Sequence, residues 1–212
     1  MKDLAKLDDR VEAHLDGLRV AGEPGWELCK AALGNEEAGE VFAASVMAFE
    51  SGIEARIQTV LDAVIAKPEL ATGMVSALGW LNFEQASPHI HRFLGSQVHL
   101  HRQIGLAGCA VHRADPGKIL SQAVGSRNLP LRARALKSVG ELGRKDLLKA
   151  VKDNLLAEDD QVRYWAAWSG ALLGEPAANP ILQRFVECAG LQREQACATS
   201  LRRMSIEQVR SG

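Results

Sequence analysis

The side chains able to do chemistry gather in the middle of this 212-residue chain. His89, His91, His99, His101, Cys109 and His112 are of metal-ligating types. Their spacing opposes chelation from one helix, because residues i and i+2 point about 200° apart. A metal site would have to be assembled across adjacent helices; the other reading is polar surface or helix caps. Trp165 and Trp168, in VRYWAAWSG, are of the kind that stacks a nucleic-acid base. Three residues apart on an apolar helix, they more simply fill core. Lys145, Lys149 and Lys152 recur at spacings of four and three and so share one helix face. Arg92 and Lys118 occupy corresponding places in the two preceding segments. Together they outline either a solvated face or a basic stripe suited to an acidic protein segment. No Ser/His/Asp order, glycine-rich phosphate loop or paired-carboxylate motif occurs, so no catalytic residue and no cofactor is assigned.

Composition narrows the classes. Apolar residues make up 47% and charged residues 24%, the balance of a folded chain rather than a disordered one. No stretch reaches the ~18 apolar residues of a membrane span, and the start MKDLAKLDDRVEAHLD is too charged for a signal peptide. Cys29, Cys109, Cys188 and Cys197 form no CxxC pair, which reads as reduced thiols in a cytoplasmic protein. The net charge of −1 argues against bulk attraction to nucleic acid. That near-neutral total hides an asymmetry. Residues 1–70 carry 7 basic and 14 acidic side chains, 71–157 carry 12 and 5, and 158–212 carry 6 and 7.

The elements that must hold these residues repeat. Arg102, Arg132, Arg163 and Arg193 stand 30, 31 and 30 residues apart, each followed by a run rich in alanine, glycine and leucine. A second apolar segment follows each first one: Ile90–Phe93–Leu94, Ile119–Leu120–Ala123, Leu148–Val151–Leu155 and Ile181–Phe185. Apolar spacings of three and four read as two amphipathic helices per repeat. Pro88, Pro116, Pro130, Pro176 and Pro180 are expected near helix starts, and Asp159–Asp160 as an N-terminal cap. The arginine ladder could form a binding stripe, but it is expected to be structural, pairing with acids or helix ends of the neighbouring repeat, with Asp115, Asp146 and Glu175 as suitable partners. The predicted fold is all-α, an α-solenoid of about six or seven helix pairs. Residues 1–36 form an atypical helical start and 37–212 one continuous array, clearest over 70–212.

The VR…A…AL…LG pattern resembles HEAT-type repeats in their short form near thirty residues. No His-Glu dipeptide of the HEAT-like di-iron hydroxylases occurs. The opening LAKLDDRVEAHLDGLRVAGEPGW resembles an uncharacterised proteobacterial family of HEAT-like proteins loosely associated with type VI secretion loci. Leu7, Asp8, Arg10, His14, Leu15, Gly17, Leu18, Gly22 and Trp26 carry that resemblance. Members are longer at both ends, which implies a short member or a fragment here. The resemblance implies an architecture and a genomic setting, and no site.

These features point to a non-catalytic adaptor or scaffold whose partner is another protein or an acidic peptide segment, without membrane or nucleic-acid binding. An immunity-like protein that neutralises a toxin is one alternative. A helical-repeat enzyme or nucleic-acid-binding protein is another. The C-terminal QREQACATSLRRM is expected to act as a cap, a self-association surface or a truncation edge, exposing Ala196, Leu201 and Met204.

Overall fold

The computed structural model describes residues 2–187. Arg193 of the ladder and the C-terminal segment with Ala196, Leu201 and Met204 lie outside the described residues. Within them are twelve α-helices, four short 3-10 turns and no strand. The helices pack against their neighbours in the chain, and the fold is all-α, of the α-solenoid class. No helix among the described residues is long and apolar enough to cross a membrane. The chain divides into two compact units, Met1–Phe93 and Leu94–Gly212.

The first unit is built from α1 (Lys2–Ala21), α2 (Glu23–Ala32), α3 (Ala38–Ser51), α4 (Glu54–Ala66), α5 (Ala71–Trp80) and most of α6 (Phe83–Gly95). Val41, Ala44 and Ala48 of α3 meet a core shared with Val60 and Leu61 of α4 and Met74 and Leu78 of α5. Helices α3 and α5 lie in direct contact. Gly73 permits this approach, because a Cβ there would collide with the Ala38 carbonyl. The atypical start is anchored rather than loose. Leu15 and Trp26 are buried, Arg19 pairs with Glu50 at 2.8 Å, and Trp80 Nε1 donates to Glu12 at 2.7 Å. Pro88 lies inside α6, not ahead of it as its helix-breaking character predicts.

The second unit carries the clearest repeats. Its first helices are α7 (His99–Val111), α9 (Leu129–Glu141) and α11 (Asp160–Leu173), and its second helices are α8 (Lys118–Ala123), α10 (Leu148–Asp153) and α12 (Asn179–Glu187). Alanine, glycine and serine fill the positions where α9 and α11 touch, so the two backbones approach closely. A Cβ on Gly140 would stand 2.5 Å from Ser169 Oγ and 2.9 Å from Ser169 Cα. Two serines 31 residues apart fasten successive first helices. Ser138 Oγ donates to Leu106 O at 3.3 Å, and Ser169 Oγ to Leu136 O at 2.6 Å. Leu106, Leu120 and Leu136 are fully buried, each contributing about 1.5–3 kcal/mol. The starts of α9 and α11 follow local chemistry. Asn128 caps α9 through Leu131 N at 3.0 Å, with Pro130 in the first turn, and Asp159 caps α11 through Val162 N at 2.9 Å.

Helices α8 and α10 are only six residues long. Gly117, at φ +59°, opens α8. A 3-10 turn over Lys145–Leu147 precedes α10. Lys145 therefore stands in that turn, outside the helix that carries Lys149 and Lys152. The single-helix face expected for the three lysines is a turn joined to a helix.

Candidate interaction site

The basic residues of the sequence fall into different surroundings. Arg92, in the first unit, is exposed and forms a two-pronged pair with Glu54, one prong at 2.5 Å. Lys152 pairs with Glu175 at 2.6 Å, and that contact holds the Glu175 carboxyl below the usual carboxylate range. Lys118, Lys145 and Lys149 are exposed and have no ion pair among the described residues. Arg144 organises the ends of their helices. It donates to Asp115, ahead of α8, at 2.5 Å and to Asp146, beside Lys145, at 2.7 Å. This clamp ties the turn before Lys118 to the turn that carries Lys145, leaving the lysine ammonium groups in solvent.

The same clamp corrects the partners assigned to the arginine ladder. Asp115 and Asp146 receive Arg144, and Glu175 receives Lys152, not ladder arginines. Arg102, Arg132 and Arg163 sit in the first turns of their helices, whereas those acids follow the far ends of the first helices. A 13-residue helix is about 20 Å long, beyond any side chain's reach. Arg132 instead donates to Ser126 O at 2.6 Å, and Arg163 to Ala157 O at 2.6 Å while pairing with Asp160. Each reaches back six residues to the turn that precedes its own helix. Arg102 makes no such bond, and its Nε is buried without a hydrogen-bond partner. It lines a cavity of about 220 Å³ with Ile119, Gln122, Ala123, Ser126 and Leu131.

The tryptophans are half-buried rather than sunk in core; the buried aromatic of α11 is Tyr164, whose hydroxyl is pushed up to about 12 by burial. Trp165 and Trp168 meet edge to face at 5.5 Å, and the Lys137 ammonium lies 4.5 Å from the Trp165 ring centre. With Gln103, Pro130, Arg134 and Gln161, Trp165 and Lys137 line a groove of about 360 Å³ over the first helices. Its cations are already held. Arg134 and Lys137 both pair with Glu141, and burial lowers the pKa of each cation.

The histidines do not converge. His89, packed on the Phe49 ring at 4.6 Å, bonds the Phe49 carbonyl at 3.2 Å. His91 turns back on Ser87, and His101 faces the Ser96 hydroxyl at 3.0 Å. No group of three or more His, Cys, Asp or Glu side chains placed to hold a metal occurs among the described residues.

Residues 117–202 match the family model for HEAT repeats. That segment begins at the turn before α8 and runs through α12. Over that segment the chain is similar to HEAT repeats, as the VR…A…AL…LG pattern leads one to expect. No curated protein matches the chain. HEAT repeats commonly serve as protein-interaction scaffolds.

Sequence reasoning missed the Arg102 cavity, the Arg134–Glu141–Lys137 cluster and the two interhelical serines. The serines were within reach, since Ser138 and Ser169 share the ladder's period. The cavity was not, because Arg102 looks like any other rung in the sequence.

Proposed function

We propose that this chain is a non-catalytic protein-binding module whose second unit receives an acidic segment of a partner protein. One observation carries the reading. Lys118, Lys145 and Lys149 are exposed and unpaired among the described residues, whereas Arg19, Arg56, Lys67, Arg92, Arg144 and Lys152 are ion-paired. Unneutralised cations at the starts of successive second helices steer an acidic partner and set its register. Solenoids suit this role because their stacked repeats present an extended surface. The N-terminal resemblance supports a secretion-associated setting; a toxin-neutralising role differs only in the partner's identity.

The test is affinity purification from native-host lysate with the wild-type chain and with Lys145→Glu/Lys149→Glu. Lys152 stays untouched, since reversing it would set two carboxylates against each other at Glu175 and disturb the fold. A stoichiometric partner held by the wild type and lost by the double variant, at unchanged Tm, is the expected result. Equal retention by both removes the lysines from the interface.

A further inference from the structure

Arg102 departs from the ladder to which its sequence assigns it. Arg132 and Arg163 are locked onto carbonyls of their preceding turns. The position before each of those arginines is a buried apolar residue, Leu131 or Val162. Before Arg102 it is His101, which takes the Ser96 hydroxyl in the corresponding turn. Arg102 is left half-buried with an orphaned Nε and lines a cavity between α7, α8 and the start of α9. A guanidinium has a planar fork of donors and no accepting atom, so its complement is an oxyanion. No carboxylate of the described residues lines the cavity.

The rest of the lining says which oxyanion. Gln122 adds an amide donor to the lining that holds Arg102, while Ile119, Ala123 and Leu131 supply apolar wall. A carboxylate on a short methylene stem satisfies both halves: the head takes the arginine fork and the stem lies on the aliphatic side chains. A bare inorganic anion would leave the apolar wall unused. Lys118 opens α8, the helix that contributes Ile119, Gln122 and Ala123, so the cavity adjoins the lysine-bearing surface.

We infer that the Arg102 cavity is a carboxylate pocket that receives a glutamate or aspartate side chain of the docked partner segment. This rests on the acidic-segment reading and names the group that anchors it. The bidentate pair formed there sets the register of the segment, while the lysines attract it.

The probe is a hexaglutamate peptide titrated into the full ¹⁵N-labelled chain, with the Nε–Hε resonance of Arg102, assigned by its loss in Arg102→Lys, as readout. The expected result is a saturable shift of that resonance, with affinity at least tenfold weaker in Arg102→Gln at unchanged Tm. Gln122→Glu, which puts a carboxylate into the lining of the same cavity, is expected to shift the resonance without peptide, raise Tm and block binding. An Arg102 resonance unmoved at saturating peptide overturns the inference, as does a Gln122→Glu variant that binds like wild type. A shift with inorganic phosphate or acetate but none with hexaglutamate also overturns it, leaving a free-anion site. Peptide binding lost in Lys145→Glu/Lys149→Glu but intact in Arg102→Gln removes the pocket and keeps the lysine surface. Binding lost in Arg102→Gln but intact in the lysine variant supports the pocket and removes the lysine surface.

Discussion

Gly140→Ala tests the close packing of α9 on α11, on which the second unit depends. By helix propensity alone the change stabilises by about 1 kcal/mol. Tertiary packing opposes it. The new methyl would lie 2.5 Å from Ser169 Oγ, 2.8 Å from Trp168 Cζ3 and 2.9 Å from Ser169 Cα. The last of these is backbone and cannot swing away, so the helices must part. Overpacking of this kind costs about 1–3 kcal/mol, and moving Ser169 also weakens its bond to Leu136 O, worth about 1 kcal/mol. The expected net loss is about 1–3 kcal/mol, a fall in Tm of roughly 2–12 °C for a chain of this length. Thermal denaturation followed by circular dichroism at 222 nm measures it. Gly39→Ala is the control, since a Cβ there meets nothing within 4 Å and its Tm should hold or rise. Adding Ser169→Ala to Gly140→Ala removes only the nearest of the three atoms and should recover less than half of the loss. A Gly140→Ala chain melting at or above wild type would refute the close approach.

Three further outcomes follow from single contacts. Asp159→Ala removes the side-chain cap of Val162 N and should cost about 1 kcal/mol, read from urea denaturation, whereas Asp159→Asn should cost little because its amide oxygen still accepts. His89 has its pKa lowered, chiefly by burial, with Arg92 adding to the effect and the Phe49 carbonyl and Glu54 opposing it. Its neutral form is favoured in the folded chain, so its contribution is complete above the unfolded pKa of about 6.5 and is lost as pH falls below it. The drop in stability between pH 7.5 and 5.5 should be smaller in His89→Gln. Burial, with a smaller effect of Asp115, pushes the Cys109 thiol up to about 11. At pH 8, iodoacetamide should leave Cys109 unmodified in the native chain and label it after unfolding, as mapped by mass spectrometry. Rapid native labelling would place it nearer solvent than its 3% exposure allows.

What the sequence determined by itself is periodic and local. The thirty-residue recurrence of arginine and small residues, with apolar spacings of three and four, specifies stacked helix pairs because a helix must bury one stripe and its neighbours must tolerate that burial. The cap at Asp159 and the first-turn Pro130 were legible because their chemistry is completed within three residues. Reach across the repeat was not. The ladder's assigned acids sat at the wrong ends of their helices, a fact about axial distance that a linear spacing does not carry. Pro88 looked like a boundary but lies within α6. Lys152 and Lys149 look alike in sequence, yet Glu175 neutralises only the first. Only tertiary structure separates Arg102 from Arg132. Whether an arginine finds a carbonyl or faces a cavity depends on what the adjacent turn and the next helix place around it, and those neighbours meet through packing rather than through sequence order.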